Sequence, residues 1–86
     1  MDPPVALTVA AHDPLGGAGL AADLPTFSVL GVHGVAVATA VTAQHLGSVD
    51  RVDEVPLGGI EAQLDGVVAE FTVAAMKTGL LGREEV

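Results

Sequence analysis

The chain has 86 residues, a formal net charge of −8 and no cysteine. This acidic balance disfavours nucleic acid and anionic membrane surfaces as partners, because their charges would repel the chain. The absence of cysteine excludes disulfides, zinc–thiolate sites and thiol catalysis. The first residues lack the basic region of a signal peptide, and no apolar run reaches the ~18 residues of a membrane span, so we expect a cytoplasmic protein.

A glycine-rich turn separates the first two predicted elements, a buried strand at residues 5–11 and a helix at residues 17–30. Gly16, Gly17 and Gly19 lie in this turn. Glycines let the backbone approach a ligand closely, and N–H groups at the start of a helix attract an anion or a polar ligand. Ligands of parallel α/β sheets bind beyond the carboxyl ends of the strands, where this turn lies. We therefore expect a binding site here, with free N–H groups directed at the ligand.

The predicted first helix has one apolar face and one discordant residue. Leu20, Leu24 and Phe27 recur at helical spacing, and Gly31 is expected to end the helix. Pro25 removes a backbone hydrogen bond and clashes with the preceding turn. It therefore predicts either a kink or a helix that starts later.

The rest of the chain continues to alternate strands and helices. Residues 35–41 predict a strand that is covered on both faces, because nearly all of them are apolar. The further predictions are a short edge strand at 48–56, a helix at 59–70, a buried strand at 73–76 and the start of a helix at 81–86. This order predicts a three-layer α/β fold with a mostly parallel sheet and helices on both faces. Three parallel strands would leave an apolar edge unpaired, so we expect the front part of a larger domain.

Two nucleotide-binding motifs can be weighed against the glycine turn. Gly17-x-Gly19-x-x-Ala22 fits the loose dinucleotide fingerprint, but that fingerprint needs an acidic residue at the end of the second strand, and residues 42–44 contain none. The dinucleotide interpretation is therefore disfavoured. A Walker phosphate-binding loop is excluded, because no Lys-Ser/Thr pair follows the glycines.

Polar residues near the predicted strand ends are the other candidates. Asp23 is either a solvated helix residue or a carboxylate directed into the crevice, where it would accept hydrogen bonds from an amino group or bind a hydroxyl. Gln44, just past the second strand, is either a loop amide or the partner of a heteroaromatic edge. Lys77 either meets an anion or pairs with an aspartate. The three histidines are not spaced as a metal site, and a structural or solvent-exposed role is favoured for them. They are His12, His33 and His45.

Four segments resemble the hydroxymethylpyrimidine/phosphomethylpyrimidine kinases of thiamine biosynthesis. They are residues 13–27 (DPLGGAGLAADLPTF), 30–34 (LGVHG), 39–44 (TAVTAQ) and 75–82 (AMKTGLLG). The resemblance covers nearly the whole chain and implies the ribokinase-like fold. It also implies ATP- and Mg²⁺-dependent phosphorylation of 4-amino-5-hydroxymethyl-2-methylpyrimidine and then of its monophosphate.

The resemblance further implies roles for individual residues. Asp23 and Gln44 would hydrogen-bond the amino group and the ring nitrogen of the pyrimidine. The backbone at Ala11 would border the same pocket, and Leu80 would supply apolar contact. The glycine turn would then serve close approach of this substrate.

The chain departs from the family pattern at several positions beside these residues. Ala11 and His12 stand where Gly followed by Ser or Thr is usual, and His45 stands where Asn is usual. A methyl group and an imidazole there would narrow or repolarise the pocket. Pyridoxal kinase, or another vitamin kinase of the same superfamily, therefore stays open as an alternative.

The expected domain organisation follows from the same resemblance. In this family the ATP site, the glycine-rich anion hole and the catalytic base come from the later half. We expect residues 1–86 to form the N-terminal part of a single ribokinase-like kinase domain, with no catalytic or metal-binding residue of its own. Alone it would be inactive and bind no ATP or Mg²⁺.

Three functional hypotheses remain open at this point. The chain belongs to a working kinase, truncated here or completed by a second chain; or it is a non-catalytic pyrimidine-binding module; or it is a degenerate fragment. A homodimer is also left open.

Overall fold

The computed structural model describes residues 2–81 as one sheet with two helices. The elements in chain order are β1 (Val5–His12), α1 (Leu20–Val29), β2 (His33–His45), β3 (Ser48–Glu54), α2 (Leu57–Glu70) and β4 (Val73–Thr78). The strand order is β3-β2-β1-β4. Strand β1 pairs in parallel with β2 and with β4, and β3 is antiparallel to β2. The predicted α/β fold with a mostly parallel sheet is therefore confirmed.

The two helices cover opposite faces of the sheet. Thr8 of β1 donates a hydrogen bond to Asp23 of α1, whereas its neighbour Leu7 packs in a cluster with Ile60 of α2. Consecutive residues of a strand point to opposite faces, so α1 and α2 must lie on opposite sides of β1. The predicted three-layer arrangement follows. None of the helices within residues 2–81 has the length and apolar character needed to cross a bilayer.

The core is aliphatic, because the sequence offers almost no aromatic side chains. Leu7, Val37 and Ile60 form its buried centre on the α2 side. On the α1 side the strands present small residues, among them the buried Ala10 and Ala40. Such a core gains its stability from many small contributions of buried area, each worth about 25 cal/mol per Å².

Helix α1 begins at Leu20, later than the predicted position 17, but this later start does not take Pro25 out of the helix. Pro25 still lies inside the helix. The helix ends where Gly31 was expected to end it. Gly31 has a φ of +75°, in the left-handed region that glycine reaches without strain. The N–H group of Val32 then donates to the carbonyl oxygen of Phe27 at 2.9 Å, which gives this carbonyl group in the last turn of the helix a hydrogen-bond partner.

Strands β2 and β4, which flank β1, are both longer than the sequence predicted. Strand β2 does not end at residue 41 but runs to His45, because β3 returns alongside it and pairs Gln44 with Val49. The prediction that Gln44 follows the strand is therefore wrong. Strand β4 runs to Thr78 and so includes Lys77. The prediction that residues 73–76 form a buried strand is wrong, because β4 lies at the edge of the described sheet and residues 74–76 are exposed. The helix predicted at 81–86 lies, apart from residue 81, outside the described residues.

The side chain of Gln63 on α2 hydrogen-bonds the backbone of β2 before the part of β2 that pairs with β3. Its amide oxygen accepts from the N–H of Ala38 at 2.8 Å, and its amide nitrogen donates to the carbonyl oxygen of Ala38 at 2.9 Å. Both backbone groups of one residue are thus satisfied by one side chain. Such pairing matters because a buried backbone group without a partner costs about 1–3 kcal/mol.

Helix α1 packs closely on the sheet at Gly34, and this contact predicts a stability effect. A Cβ at this position would stand 2.9 Å from Cδ2 of Phe27 and 3.0 Å from Cδ2 of Leu24. Gly34→Ala should therefore lower the free energy of unfolding by about 1–3 kcal/mol, as overpacking does. Urea unfolding followed by circular dichroism measures the change.

The matched control for this substitution is Gly66→Ala in α2, where an added Cβ meets nothing within 4 Å. Alanine in an open helical position should raise stability by about 0.5–1 kcal/mol. Equal effects of the two substitutions would contradict the close packing of α1 on Gly34.

Candidate functional site

A cleft of about 260 Å³ opens at the carboxyl ends of the three parallel strands. Strand β1 lies between β2 and β4: the connection through α1 leads to one side of β1, and the connection through α2 leads to its other side. Such a switch point is where open α/β sheets bind ligands. The strand-end location expected from the sequence is therefore where the cleft lies. The lining residues are Ala11, Asp13, Ala18, Gly19, Thr42, Gln44, Val49, Val52, Lys77, Gly79 and Leu80.

The glycine turn is held together by the carboxylate of Asp13. This carboxylate accepts hydrogen bonds from the N–H groups of Leu15 at 2.9 Å and of Gly17 and Ala18 at 3.1 Å each. The expectation that these groups are free for a ligand is therefore wrong. An aspartate whose side chain accepts hydrogen bonds from the backbone that follows it stabilises a turn. With these N–H groups engaged, the turn forms a wall of the cleft and not an anion-binding site.

Gly19 makes the closest backbone approach in the site. It has a φ of +64°, and a Cβ there would overlap the carbonyl oxygen of Ala11. Gly19 also forms an isolated bridge with His12 at the end of β1. Gly16 has a φ of +74° with open space around it, and neither Gly16 nor Gly17 lines the cleft. Of the three predicted glycines, only Gly19 therefore brings the turn against the cleft.

Asp23 points from the first turns of α1 onto the sheet, where two groups bind the same carboxylate oxygen. The hydroxyl of Thr8 donates to Oδ2 at 2.7 Å, and the ammonium group of Lys77 donates to it at 2.9 Å. The Asp23 side chain is 16% exposed and that of Lys77 is 48% exposed. Of the two outcomes expected for Lys77, the structure therefore shows pairing with an aspartate. Asp23 itself does not line the cleft, whereas its partner Lys77 does.

This arrangement keeps Asp23 ionised. Partial burial of the carboxyl raises its pKa, but the hydrogen bonds from Thr8 and Lys77 and the positive charge of Lys77 outweigh that effect. The pKa of Asp23 therefore lies below its ordinary value of 3.8. Its Oδ1 atom accepts no hydrogen bond from residues 2–81, which leaves it able to accept one from a ligand.

Gln44 lines the cleft and is tied to Thr42 on the same face of β2. Its Nε2 atom donates to Oγ1 of Thr42 at 2.7 Å, and that hydroxyl donates to the carbonyl oxygen of His12 at 2.9 Å. The side-chain oxygen of Gln44 receives no hydrogen bond from the described residues. The cleft thus contains one free amide acceptor.

Ala11 and Leu80 also line the cleft, from the ends of β1 and β4. The segment after β4 is fixed by two hydrogen bonds across the sheet. The hydroxyl of Thr39 donates to the carbonyl oxygen of Leu80 at 2.6 Å, and the N–H of Gly79 donates to the carbonyl oxygen of Val9 at 2.9 Å. The structure therefore brings together Ala11, Gly19, Gln44 and Leu80, with Asp23 one side chain further away.

Six lining residues had not been proposed as site residues from the sequence: Asp13, Ala18, Thr42, Val49, Val52 and Gly79. Val49 and Val52 reach the cleft because β3 folds back along β2, which gives the site an apolar flank. Valines among charged residues in the segment 48–56 were the sequence signal for that strand. Thr42 was visible as a polar residue near a strand end, but its bond to His12 depends on the strand order.

The histidines are separated in the structure. His45 binds Asp50 at 2.7 Å on the exposed hairpin of β2 and β3, whereas the ring of His33 lies 5.4 Å from that of Phe71. Within residues 2–81 no group of three or more metal-ligating side chains converges.

The described residues do not offer a cradle for ATP and Mg²⁺. The N–H groups of the glycine turn are engaged by Asp13, and Lys77, the cation that lines the cleft, is engaged by Asp23. A magnesium–triphosphate complex needs free backbone donors, cations and oxygen ligands. The donor set of residues 2–81 therefore fits an uncharged polar ligand better than a nucleotide.

The fold is that of ribokinase-like kinases. A crystal structure of phosphomethylpyrimidine kinase from Clostridium difficile 630 matches with a TM-score of 0.85 and 39% identity, over 88% of this chain and 35% of that one. Pyridoxal kinase from Staphylococcus aureus in complex with pyridoxal matches with a TM-score of 0.87 and 34% identity, over 96% of this chain and 31% of that one.

Residues 13–86 match the family of phosphomethylpyrimidine kinases, and the chain belongs to this family. A hydroxymethylpyrimidine/phosphomethylpyrimidine kinase of Synechococcus elongatus is 47% identical over 83 residues, which are 96% of this chain and 32% of the relative. The chain spans about a third of the length of the curated relatives it matches. The resemblance visible in the sequence is confirmed.

The close approach of Gly19 to Ala11 predicts a large difference between two glycine substitutions. Gly16→Ala introduces only the strain of a left-handed backbone, about 1–2 kcal/mol. Gly19→Ala adds an overlap with backbone, so we expect a loss of about 2–5 kcal/mol in the free energy of unfolding. Denaturant unfolding of both variants tests this, and similar losses for the two would contradict the contact.

The ion pair of Lys77 predicts a change in the titration of Asp23. Lys77→Met removes one hydrogen bond and the positive charge, so the pKa of Asp23 should rise, as measured by NMR of its carboxyl carbon. Arg51→Met, which removes the cation bonded to Asp53 on β3, should leave the pKa of Asp23 unchanged. An unchanged pKa in Lys77→Met would contradict the pairing.

The same shift predicts how stability depends on pH. The pKa of Asp23 is lower in the folded state than its ordinary value of 3.8. Its ionised form therefore stabilises the fold fully above that value, and this contribution is lost as the pH falls through the folded pKa. Acid unfolding should begin at a higher pH in Lys77→Met than in the unmodified protein.

Proposed function

We propose that this chain is the pyrimidine-binding portion of a hydroxymethylpyrimidine/phosphomethylpyrimidine kinase. The whole protein would use ATP and Mg²⁺ to phosphorylate 4-amino-5-hydroxymethyl-2-methylpyrimidine and then its monophosphate. The observation that carries the proposal is the unpaired side-chain oxygen of Gln44 in the cleft at the strand ends. An amino group on a heteroaromatic ring is the complement of such an acceptor.

The rest of the cleft supports a flat, mostly apolar ligand with a polar edge. Val49, Val52 and Leu80 provide apolar walls, and the backbone at Ala11 and Gly19 closes the end near the glycine turn. Asp23 is proposed as the second acceptor, through its free Oδ1 atom. Its ionised state suits a partner with N–H donors, because hydrogen bonds to charged groups are stronger, worth about 1.5–3 kcal/mol.

Phosphoryl transfer is assigned to the part of the relatives that this chain does not span. Transfer of a phosphoryl group depends on positioning and on stabilising charge at the transferring group. In residues 2–81 three N–H groups of the glycine turn are engaged by Asp13, and the charge of Lys77 is paired with Asp23. We propose that residues 1–86 act as the N-terminal part of one kinase domain in the cytoplasm. The remainder would come from the same polypeptide or from a complementing chain.

A second candidate is favoured by the structural match to a pyridoxal kinase. Pyridoxal has an aldehyde and a phenolic oxygen where the pyrimidine has its amino edge. Two free acceptors in the site, on Gln44 and Asp23, match amino hydrogens better than an aldehyde oxygen. The pyrimidine is therefore the preferred substrate.

Calorimetric titration tests which ligand the cleft binds. We expect 4-amino-5-hydroxymethyl-2-methylpyrimidine to bind more tightly than pyridoxal. Gln44→Ala and Asp23→Ala should each weaken pyrimidine binding by about tenfold, the equivalent of one hydrogen bond of about 1.4 kcal/mol. Asp65→Ala, on the exposed side of α2, is the matched control and should leave binding unchanged. Tighter binding of pyridoxal would favour the second candidate.

Phosphorylation assays with ATP and Mg²⁺ test which part of the proposed kinase carries the catalytic groups. The 86-residue chain alone should give no turnover. A hybrid that joins it to the remaining two thirds of the Synechococcus elongatus relative should phosphorylate the pyrimidine. Turnover by the chain alone would overturn the assignment of the catalytic machinery to the missing part.

A further inference from the structure

We propose that Thr42 is a positioning residue that fixes the side-chain amide of Gln44 with its oxygen toward the cleft. The cleft would then recognise an amino group and reject a carbonyl group at that edge of the ligand. This inference rests on the proposed function, because it explains how the same site selects its substrate.

The first step is the state of the Thr42 hydroxyl. The residue is buried, and its Oγ1 lies 2.9 Å from the carbonyl oxygen of His12. A carbonyl oxygen can only accept, so the single hydrogen of the hydroxyl is committed to His12. Only the lone pairs of Oγ1 remain for any other partner.

The second step is the orientation that this imposes on Gln44. Its side-chain amide lies 2.7 Å from Oγ1 of Thr42. Because Oγ1 has only lone pairs to offer, the amide group facing it must be the NH₂. The reverse orientation would set two oxygens against each other at hydrogen-bond distance. The amide oxygen is therefore turned away from Thr42 and stays unpaired among the described residues.

The third step is the reason why His12 is available to Thr42. The parallel pairing of β1 with β2 shifts register between Ala10 and His12. At this irregularity the side-chain hydroxyl of Thr42 on β2 donates to the carbonyl oxygen of His12. His12 at the end of β1 thus fixes the direction of the Thr42 hydroxyl hydrogen. Thr42 in turn fixes the orientation of the Gln44 amide, which directs its oxygen toward the cleft.

The consequence is a preference between two ligands of nearly equal shape. A 4-amino group donates to the fixed oxygen of Gln44, whereas a 4-oxo group would bring a second acceptor against it. A site built to pair one hydrogen-bonding group rejects the analogue that leaves its polar atom unpaired. Without Thr42 the amide could rotate and accommodate either ligand.

The experiment compares binding of 4-amino-5-hydroxymethyl-2-methylpyrimidine with that of its 4-oxo analogue by calorimetry. In the unmodified chain we expect the amino compound to bind at least about tenfold more tightly. Thr42→Val keeps the shape but removes the hydroxyl, so the ratio should fall by about tenfold, mainly because the oxo analogue gains affinity. Thr42→Ser keeps the hydroxyl and should restore the ratio.

Each outcome separates this inference from the proposed function. If Thr42→Val weakens both ligands equally and leaves their ratio unchanged, Thr42 has only a structural role and the inference is overturned, while the proposed function stands. If the unmodified chain does not bind the amino compound, both are overturned. A lowered ratio that Thr42→Ser restores supports the inference, since a general loss of stability would not change a ratio.

A measurement without any variant keeps the inference testable should Thr42→Val fail to fold. Proton NMR of the unmodified chain should show nuclear Overhauser contacts between the Gln44 side-chain NH₂ and Thr42. It should also show slow solvent exchange of one of the two amide hydrogens. Absence of both features would overturn the fixed orientation.

Discussion

The closeness of the glycine turn to the end of β1 is the constraint on which the site depends. Gly19 lies where any side chain would overlap the carbonyl oxygen of Ala11, and Asp13 holds the turn in that place by accepting from three N–H groups. This contact sets where α1 begins. Asp23, one turn further on, then reaches Thr8 on the sheet. The same bonds consume the donors that would otherwise make the turn attractive to an anion.

An ion pair and a hydrogen bond engage two of the polar groups at the cleft. The positive charge of Lys77 is offset by Asp23, and the NH₂ group of Gln44 is directed at Thr42. Among the described residues at the cleft, the side-chain oxygens without a hydrogen bond are the amide oxygen of Gln44 in the cleft and one oxygen of Asp23 beside it, while the ammonium group of Lys77 keeps further N–H donors. The amide acceptor of Gln44, in an acidic chain of net charge −8, suits the proposed ligand, which brings N–H donors.

The edge formed by β4 agrees with a role as part of a larger domain. Within residues 2–81, β4 pairs only with β1, and Met76 on this strand is 63% exposed. Leu64 and Val68 of α2 are exposed as well. The sequence indicated an apolar edge of this kind from its three parallel strands.

The sequence by itself determined the order of the elements, the aliphatic core, the glycine positions and the family, because local periodicity and short motifs record burial and turn geometry directly. The tertiary structure decided which polar groups meet. Asp23 and Lys77 are 54 residues apart, and Thr42 and His12 are 30 apart, so their bonds depend on β1 lying between β2 and β4. The hairpin of β3 turned Gln44 from an expected loop residue into a strand residue. The donors of the turn were lost to Asp13, since hydrogen bonds are satisfied by the nearest group in space, and no periodicity in the chain records that distance.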